Sequence, residues 1–376
     1  MKFLFTCGGT AGHINPAIAV AGRLQELIPD AEILFAGAEG NMECDLVPRA
    51  GYPIQTIKIT NLQRKLTPKN VIHNIKTLRY LAASKGAAAK LIRDFRPDAA
   101  IGTGGYVCYP VLKAAAKAGV PTLVHESNVV PGLTTRMLER SVSKVMVGFE
   151  AGRKEYKDPE KVAFTGTPVR GEFFALTRKE ARRELGMDEE TPFVLSFWGS
   201  LGASGMNSVI EAFIVQNMQQ KAFRHLHASG GGEAGCQAML SRLAEKGAKD
   251  LAAGGTSVRP YIFDMPLQMA AADLILCRAG ASTISELTAL GKPVILVPSP
   301  YVTNNHQEQN ARVLEKGGGA RLIRESDCTG AELFQMTKAL LEKRESLSQM
   351  AAAMKKLGVP DATEQICSTI LDFINF

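Results

Sequence analysis

Four times along the chain an apolar run breaks into glycine and small residues and then resumes as a helix-forming stretch: "CGGTAGH" (7 to 13), "GTGGY" (102 to 106), "GSLGASG" (199 to 205) and "CRAGAS" (277 to 282). Glycine accepts left-handed backbone angles and lets another group approach the main chain closely, so a strand, a tight turn and a helix start account for the pattern. Around these turns, apolar runs alternate with Ala/Leu/Lys/Glu-rich segments: "KFLFTC", "AEILFAG", "AAIGTG", "PTLVHE", "KVMVGF", then "FVLSFWG", "RHLHASG", "VRPYIF", "DLILCR" and "PVILVPS". That is the rhythm of βαβ units, and runs apolar at nearly every position, such as "VILV" at 294 to 297, suit parallel strands covered by helices on both faces. The expected class is α/β.

The opening also recurs. "FLFTCGGTAG" (3 to 12) set against "VLSFWGSLGA" (194 to 203) gives the same strand, turn and helix entry about one domain apart, which predicts two Rossmann-like domains. A chain of 376 residues is also long for one hydrophobic centre. The Gly/Pro-punctuated "KVAFTGTPVRGEFF" (161 to 174) reads as a hinge, so the expected domains are 1–164 and 165–357. The last amphipathic pattern, "ATEQICSTILDFINF" (362 to 376), reads as a helix within 358–376 that returns to the first domain.

The net charge of +7 is unevenly spread: residues 1 to 164 hold 22 Lys/Arg against 14 Asp/Glu, and the rest 22 against 23. From Leu46 to Arg93 there are ten Lys/Arg and no acidic residue, a patch that favours phosphate, nucleic acid or an acidic membrane surface, or is simply a solvated basic face. Seven cysteines stand singly, which suggests neither a disulfide framework nor a zinc site. The apolar run before the first glycines is too short for a signal peptide, and nowhere do 18 apolar residues run together, so a soluble cytoplasmic chain is expected.

Backbone N–H groups at a glycine turn beside a helix start favour phosphate, although any parallel α/β protein has a few such turns. A dinucleotide fingerprint fails, because Cys7 stands where GxGxxG needs its first glycine, and no GxxxxGK[ST] occurs. The most specific stretch is residues 273 to 311. There "STISELTALG" starts a helix with Ser282 or Thr283 as expected N-cap and Glu286 in its first turns, placed to accept ribose hydroxyls or to serve as an ordinary helix carboxylate. Downstream, "NNHQEQN" suits a polyhydroxylated ligand or a plain polar loop.

These segments together resemble the MurG family, the inverting UDP-N-acetylglucosamine transferases that make lipid II in peptidoglycan synthesis. "GGTAGHINPAIAVA" (8 to 21), "GTGGYVCYP" (102 to 110), "HESNVVPGLTTR" (125 to 136), "GTPVR" (166 to 170), "GSLGA" (199 to 203), "CRAGASTISE" (277 to 286) and "NHQEQNA" (305 to 311) carry the resemblance, in family order over essentially the whole chain. It implies a GT-B architecture, two Rossmann-like domains with parallel sheets facing a central cleft, and partners UDP-N-acetylglucosamine, lipid I and the anionic inner leaflet, with no nucleic acid, cofactor or metal. It implies donor binding by Asn128, Arg170, Ser200, Ile262 (with Tyr261, at the uracil), Ala281, Ser282, Thr283, Glu286, His306 and Gln307. Acceptor or phosphate binding falls to Gly9, Thr10, Ala11, Gly12, His13, Gly104, Gly105 and Tyr106. The sequence departs from the family pattern at Ala11, Thr167 and Trp198, the last of which puts a bulky ring next to the diphosphate loop.

Inversion needs one displacement, so the protein must take a proton from the attacking hydroxyl and stabilise departing UDP. His13 is the candidate base; its imidazole equally suits a lipid diphosphate or a structural part at the helix start, and the sequence leaves the three open. His125 and Glu126 are placed to assist. The basic segment 61–79, with Leu62, Leu66 and Ile72 among Arg64, Lys65, Lys69, Lys76 and Arg79, is expected to dock on the membrane without spanning it. The rivals are another GT-B UDP-sugar transferase with a lipid acceptor, a UDP-sugar 2-epimerase and a non-catalytic nucleotide-sugar sensor.

Overall fold

The computed structural model describes residues 1–59, 83–199 and 202–374; the basic segment 61–79 and Ser200 lie outside them. The chain divides into two units, Met1–Val169 with Val359–Phe376, and Arg170–Gly358. The break falls inside the expected hinge, five residues beyond the expected domain boundary, because the segment after residue 164 still belongs to the first unit. Thr165 donates its N–H to the Val147 carbonyl, and Gly166 (φ +71°) packs so closely that a Cβ there would lie 2.5 Å from Cβ of Val359.

The first unit is built on seven parallel strands: β1 (Lys2–Thr6), β2 (Glu32–Ala38), β3 (Ile54–Ile57), β4 (Ala99–Gly102), β5 (Thr122–Glu126), β6 (Lys144–Val147) and β7 (Val162–Phe164), in the order β3-β2-β1-β4-β5-β6-β7. Strand alternation sends side chains to both faces, and both are covered. Phe3, Phe5, Phe35 and Ile101 pack under the helix Ala11–Leu27 and the returning helix Ala362–Asp372, which contributes Ile366, Cys367 and Ile370. Leu4, Ala100 and Val124 pack under the helix Cys108–Lys117 and the helical residues 83–95, through Val111, Leu112, Leu91 and Ile92. Burial on both faces is why these strands read as continuous apolar runs.

The second unit has six parallel strands: β8 (Phe193–Phe197), β9 (Arg224–Ala228), β10 (Thr256–Arg259), β11 (Leu274–Cys277), β12 (Val294–Leu296) and β13 (Ala320–Leu322), in the order β10-β9-β8-β11-β12-β13. Its core gathers Val194, Phe213, Phe223, Leu276, Ile295 and Phe334 under the helices Ser204–Gln220 and Gly330–Glu342. All ten sequence-predicted strands are present. One is displaced: "VRPYIF" was expected to be extended throughout, but β10 ends at Arg259, where Pro260 supplies no N–H to continue the ladder. The short strands β3, β7 and β13 were not expected.

In both sheets the order reverses between two central strands, β1 and β4 in the first unit and β8 and β11 in the second. The loops leaving the carboxyl ends of such a pair diverge and open a crevice. All four glycine segments leave these four strands. Among the described residues, no helix is long and apolar enough to cross a membrane.

Beside this switch point the second unit buries an unusual polar group. His225 and His227, two apart on β9, face the same side, and the Ser196 hydroxyl of β8 lies 2.8 Å from Nε2 of one and 2.7 Å from Nδ1 of the other. Burial lowers both imidazoles, His227 to about 3. Below an ordinary histidine value of about 6.5 the unfolded chain therefore takes up protons that the folded chain refuses, and stability falls by about 1.4 kcal/mol per pH unit for each ring. The urea midpoint of the parent should fall steadily from pH 6.5 to pH 5. In the His225→Leu variant, with one ring fewer to titrate, the same fall should be shallower.

Candidate active-site loops

In the first unit the loop after β1 folds onto the loop after β4. Gly8 N–H donates to the Gly104 carbonyl at 3.1 Å, and Gly104 (φ +121°) and Gly105 (φ +92°) leave no room for side chains. A Cβ on Gly104 would meet His13 Cδ2 at 2.5 Å, and one on Gly105 would meet the Gly8 carbonyl oxygen at 2.5 Å. The His13 ring thus lies flat against Gly104. Its Nδ1 sits 2.9 Å from the Gly8 carbonyl, which can only accept, so Nδ1 carries the proton and Nε2 is the basic nitrogen of the neutral ring. The Thr103 hydroxyl donates to the His13 carbonyl at 2.6 Å and pins the backbone beneath.

The helix that follows has Thr10 as N-cap, without a side-chain cap bond, so the amides of Ala11 and Gly12 in its first turn have no intrahelical partner. Gly9 behaves differently from what the sequence suggested for a phosphate-binding amide. Its N–H is taken by Oε2 of Glu43 at 3.0 Å. Glu43 is fully buried and its Oε1 accepts the Ala38 N–H at 2.9 Å. Tyr106 reaches the same rim, its hydroxyl accepting from Asn41 Nδ2 at 2.7 Å.

The loop after β5 is organised by Glu126. Oε1 accepts the backbone and side-chain N–H groups of Asn128, both at 3.1 Å, while Oε2 accepts Gly132 N–H at 2.9 Å and the Thr135 hydroxyl at 2.8 Å. Four donors on one carboxylate make it the organiser of residues 126 to 135, and so fix Asn128. Its neighbour His125 is buried; its Nε2–H donates to the Gly166 carbonyl at 2.8 Å and burial lowers its pKa, so it holds the end of β5 as a neutral ring.

In the second unit the helix Ala281–Leu290 starts at Gly280 rather than at the expected Ser282 or Thr283: Gly280 is N-cap (φ −67°, ψ 138°) and no side chain caps it. Ala281, Ser282 and Thr283 therefore form the first turn, with amides open to an anion at the positive end of the helix dipole. Glu286, partly buried, stands in the second turn. Burial pushes its carboxyl up to about 7, with the charge of Arg170 acting in the opposite direction. The guanidinium of Arg170 lies over the Phe173 ring, 5.3 Å from its centroid.

The Trp198 side chain points into the core. Val194, Ser196 and Trp198 follow the alternation of β8, so the indole continues into the core, 3% exposed, and the Arg278 guanidinium lies over it at 5.8 Å. Arg278 also donates to the Val297 carbonyl at 3.0 Å and pairs with Glu325 at 2.7 Å. The turn beyond it is tied down by Asn310, which donates to the Ala279 carbonyl at 3.2 Å. Gln307 accepts from Ser299 N–H at 2.8 Å through Oε1, leaving its amide hydrogens for another partner, and His306 donates Nδ1–H to the Thr303 carbonyl at 2.8 Å. Ile262 is buried behind the exposed Tyr261 and Phe263.

Sequence reasoning missed Glu43, Thr103 and Arg278. Glu43 opens the short helix Glu43–Arg49, and its partners, Gly9 and Ala38, lie on other elements.

Two all-parallel sheets of Rossmann order, each with its glycine loops at the switch point, define the GT-B class of α/β proteins. Residues 3–147 match the model of the glycosyltransferase family 28 N-terminal domain and residues 193–366 that of the glycosyltransferase family 28 C-terminal domain, and the chain belongs to this family. The UDP-N-acetylglucosamine–N-acetylmuramyl-(pentapeptide) pyrophosphoryl-undecaprenol N-acetylglucosamine transferase of Acetivibrio thermocellus is 43% identical over 374 residues, covering 100% of this chain and 98% of the relative. The enzyme of the same name from Listeria welshimeri is 41% identical over 373 residues, 99% of each. The crystal structure of Acinetobacter baumannii MurG aligns with a TM-score of 0.78 at 27% identity over 99% of both chains. The UDP-GlcNAc 2-epimerase of Neisseria meningitidis shares the fold, with a TM-score of 0.69 at 14% identity over 99% of this chain and 100% of that one.

Proposed function

We propose that this glycosyltransferase moves N-acetylglucosamine from UDP-N-acetylglucosamine to the 4-hydroxyl of N-acetylmuramic acid on lipid I, with inversion, giving the β-1,4-linked lipid II. The full-length identity with transferases of that name supports it, and the observation in the structure that carries it is the uncapped turn Gly280–Thr283 with Glu286 one turn on. An open helix start binds a diphosphate, and a carboxylate behind it accepts ribose hydroxyls. Asn128, Gln307 and His306 serve the sugar hydroxyls, the backbone at Ile262 the uracil, and Arg170 and Ser200 the phosphates.

The reaction is one displacement. The acceptor oxygen bonds to the anomeric carbon as the bond from that carbon to the UDP oxygen breaks, and the hydroxyl proton passes to a base. His13 is that base in this reading: Nδ1–H is committed to Gly8, so Nε2 is free to take the proton. Thr10, Ala11, Gly12, Gly104, Gly105 and Tyr106 form the wall against which the acceptor lies. Charge on departing UDP is met by the amides of Ala281, Ser282 and Thr283.

The acceptor's polyprenyl chain places the enzyme at the anionic cytoplasmic face of the membrane, held peripherally. Supporting this, a groove of about 720 Å³ in the first unit is floored by Ile92, Pro110 and Val120 and edged by Lys85, Arg93, Arg96, Lys113 and Lys117. Apolar floor and cationic rim are the combination that an acidic lipid surface attracts.

Incubation with labelled UDP-N-acetylglucosamine and lipid I should yield labelled lipid II, and release of a free epimerised sugar instead would overturn the reading. His13→Ala should lower turnover roughly 10²- to 10⁴-fold while leaving UDP affinity unchanged; a rate within about twofold of the parent would return His13 to a structural part. Calorimetric UDP affinity should rise with pH through about 7 as Glu286 ionises. Glu286→Gln should flatten that rise and cost about 1 to 3 kcal/mol at pH 8. The double change Lys85→Glu, Lys117→Glu should weaken binding to anionic vesicles and turnover on vesicle-borne lipid I while sparing a short-chain soluble acceptor.

A further inference from the structure

One peptide group in the first unit is gripped from both sides. The peptide joining Gly8 and Gly9 gives its N–H to Oε2 of Glu43 at 3.0 Å and takes Nδ1–H of His13 on its carbonyl at 2.9 Å. Glu43 itself cannot turn away. It is fully buried, its other oxygen holds the Ala38 amide at 2.9 Å, and glycines clear its path on two sides: a Cβ on Gly8 would lie 2.6 Å from Oε1, and one on Gly37 would lie 2.7 Å from Cγ. Gly8, Gly37 and Glu43 therefore make one fitted arrangement whose product is the orientation of a single peptide.

An acceptor bonded to the N–H of an amide pushes electron density onto its carbonyl, so hydrogen bonds on the two ends strengthen one another. We propose that Glu43 is a positioning residue for His13, acting through the Gly8–Gly9 peptide: it fixes the Nδ1–H tautomer and makes Nε2 a stronger base. In the Ser-His-Asp arrangement a carboxylate does this by touching the imidazole; here a main-chain amide stands between them. The other titratable groups at this corner are Cys7, Cys108, His125 and, behind it, Glu126, with Tyr106 on the rim. Burial raises both thiols and lowers His125, so at neutral pH none of these three adds a charge beside His13. Glu126 is spent on its own loop.

The catalytic part of this inference rests on His13 acting as base; the coupling of Glu43 to His13 does not. The test is Glu43→Gln in the full-length enzyme, with the His13 imidazole followed by NMR titration, its signal assigned from His13→Gln, and with kcat/KM measured against pH. Removing the negative charge should lower the His13 pKa by about half a pH unit or more. The acid limb of kcat/KM should move with it, and kcat/KM should fall about 10- to 100-fold, the usual cost of losing a group that orients a working side chain. UDP affinity should stay at the parent value, and an unchanged signal from His125, buried in the same unit as Glu43, shows that this unit is folded. An unmoved His13 titration overturns the proposal. If His13 moves but His13→Ala turns over at the parent rate, the base reading fails while the coupling stands. Should Glu43→Gln not fold, Glu43→Asp keeps the charge but draws the carboxylate back from the Gly9 N–H: a lowered His13 titration supports the relay through the peptide, and a parent-like one overturns it.

Discussion

The order in which parallel strands pair governs the rest of this molecule. A parallel strand must be reached by a crossover, and crossovers of one hand carry the chain outward from a central pair in both directions. The loops at the carboxyl ends of that pair then diverge, leaving backbone amides with no neighbour to satisfy them. Both units arrive at this arrangement independently, at β1 with β4 and at β8 with β11, and each spends its glycines there. The two outcomes differ chemically. In the second unit the helix start at Gly280 is left open. In the first, the Gly8 amide is closed by Gly104 and the Gly9 amide by Glu43, and an imidazole is set against the loop. Each unit keeps an uncapped helix start, at Thr10 and at Gly280, and the first also sets an imidazole beside its loop.

Much of this was legible in the sequence because it depends on local periodicity. Ten strands could be read from apolar runs bounded by Gly and Pro, since burial on two faces writes itself into consecutive residues. The missed strands are short and mixed, "IQTI", "VAF" and "ARL", and lie at or near sheet edges where one side of the ladder is free. The Trp198 substitution looked alarming beside a glycine loop, yet period-two alternation from Val194 already directed it inward. The helix start was placed late because Ser282 and Thr283 are good caps by composition, whereas the chain uses Gly280 and leaves those side chains in the first turn.

What the sequence withheld are pairings between distant segments. Nothing near residue 43 indicates that its carboxylate will lie beneath residues 8 and 9, and nothing near residue 310 indicates that its amide will hold the Ala279 carbonyl. Such residues are chemically plain by themselves. They acquire a task only when the sheet has assembled, and for that reason the residues that organise a site are harder to foresee than those that face its ligand.

The return of the chain to its first unit has a consequence for how the protein is made. Ile366, Cys367 and Ile370 lie in the same core as Phe3 and Phe5 and cover the helix Ala11–Leu27, so that core stays incomplete until the segment after residue 359 has left the ribosome. Arg170–Gly358 is continuous and holds all its residues as soon as it emerges. Domains fold as units during synthesis, usually in the order in which they appear. Here that order is inverted for completion: the half translated first is the half that closes last, and until then it waits with an apolar helix face exposed to the cell's chaperones and proteases.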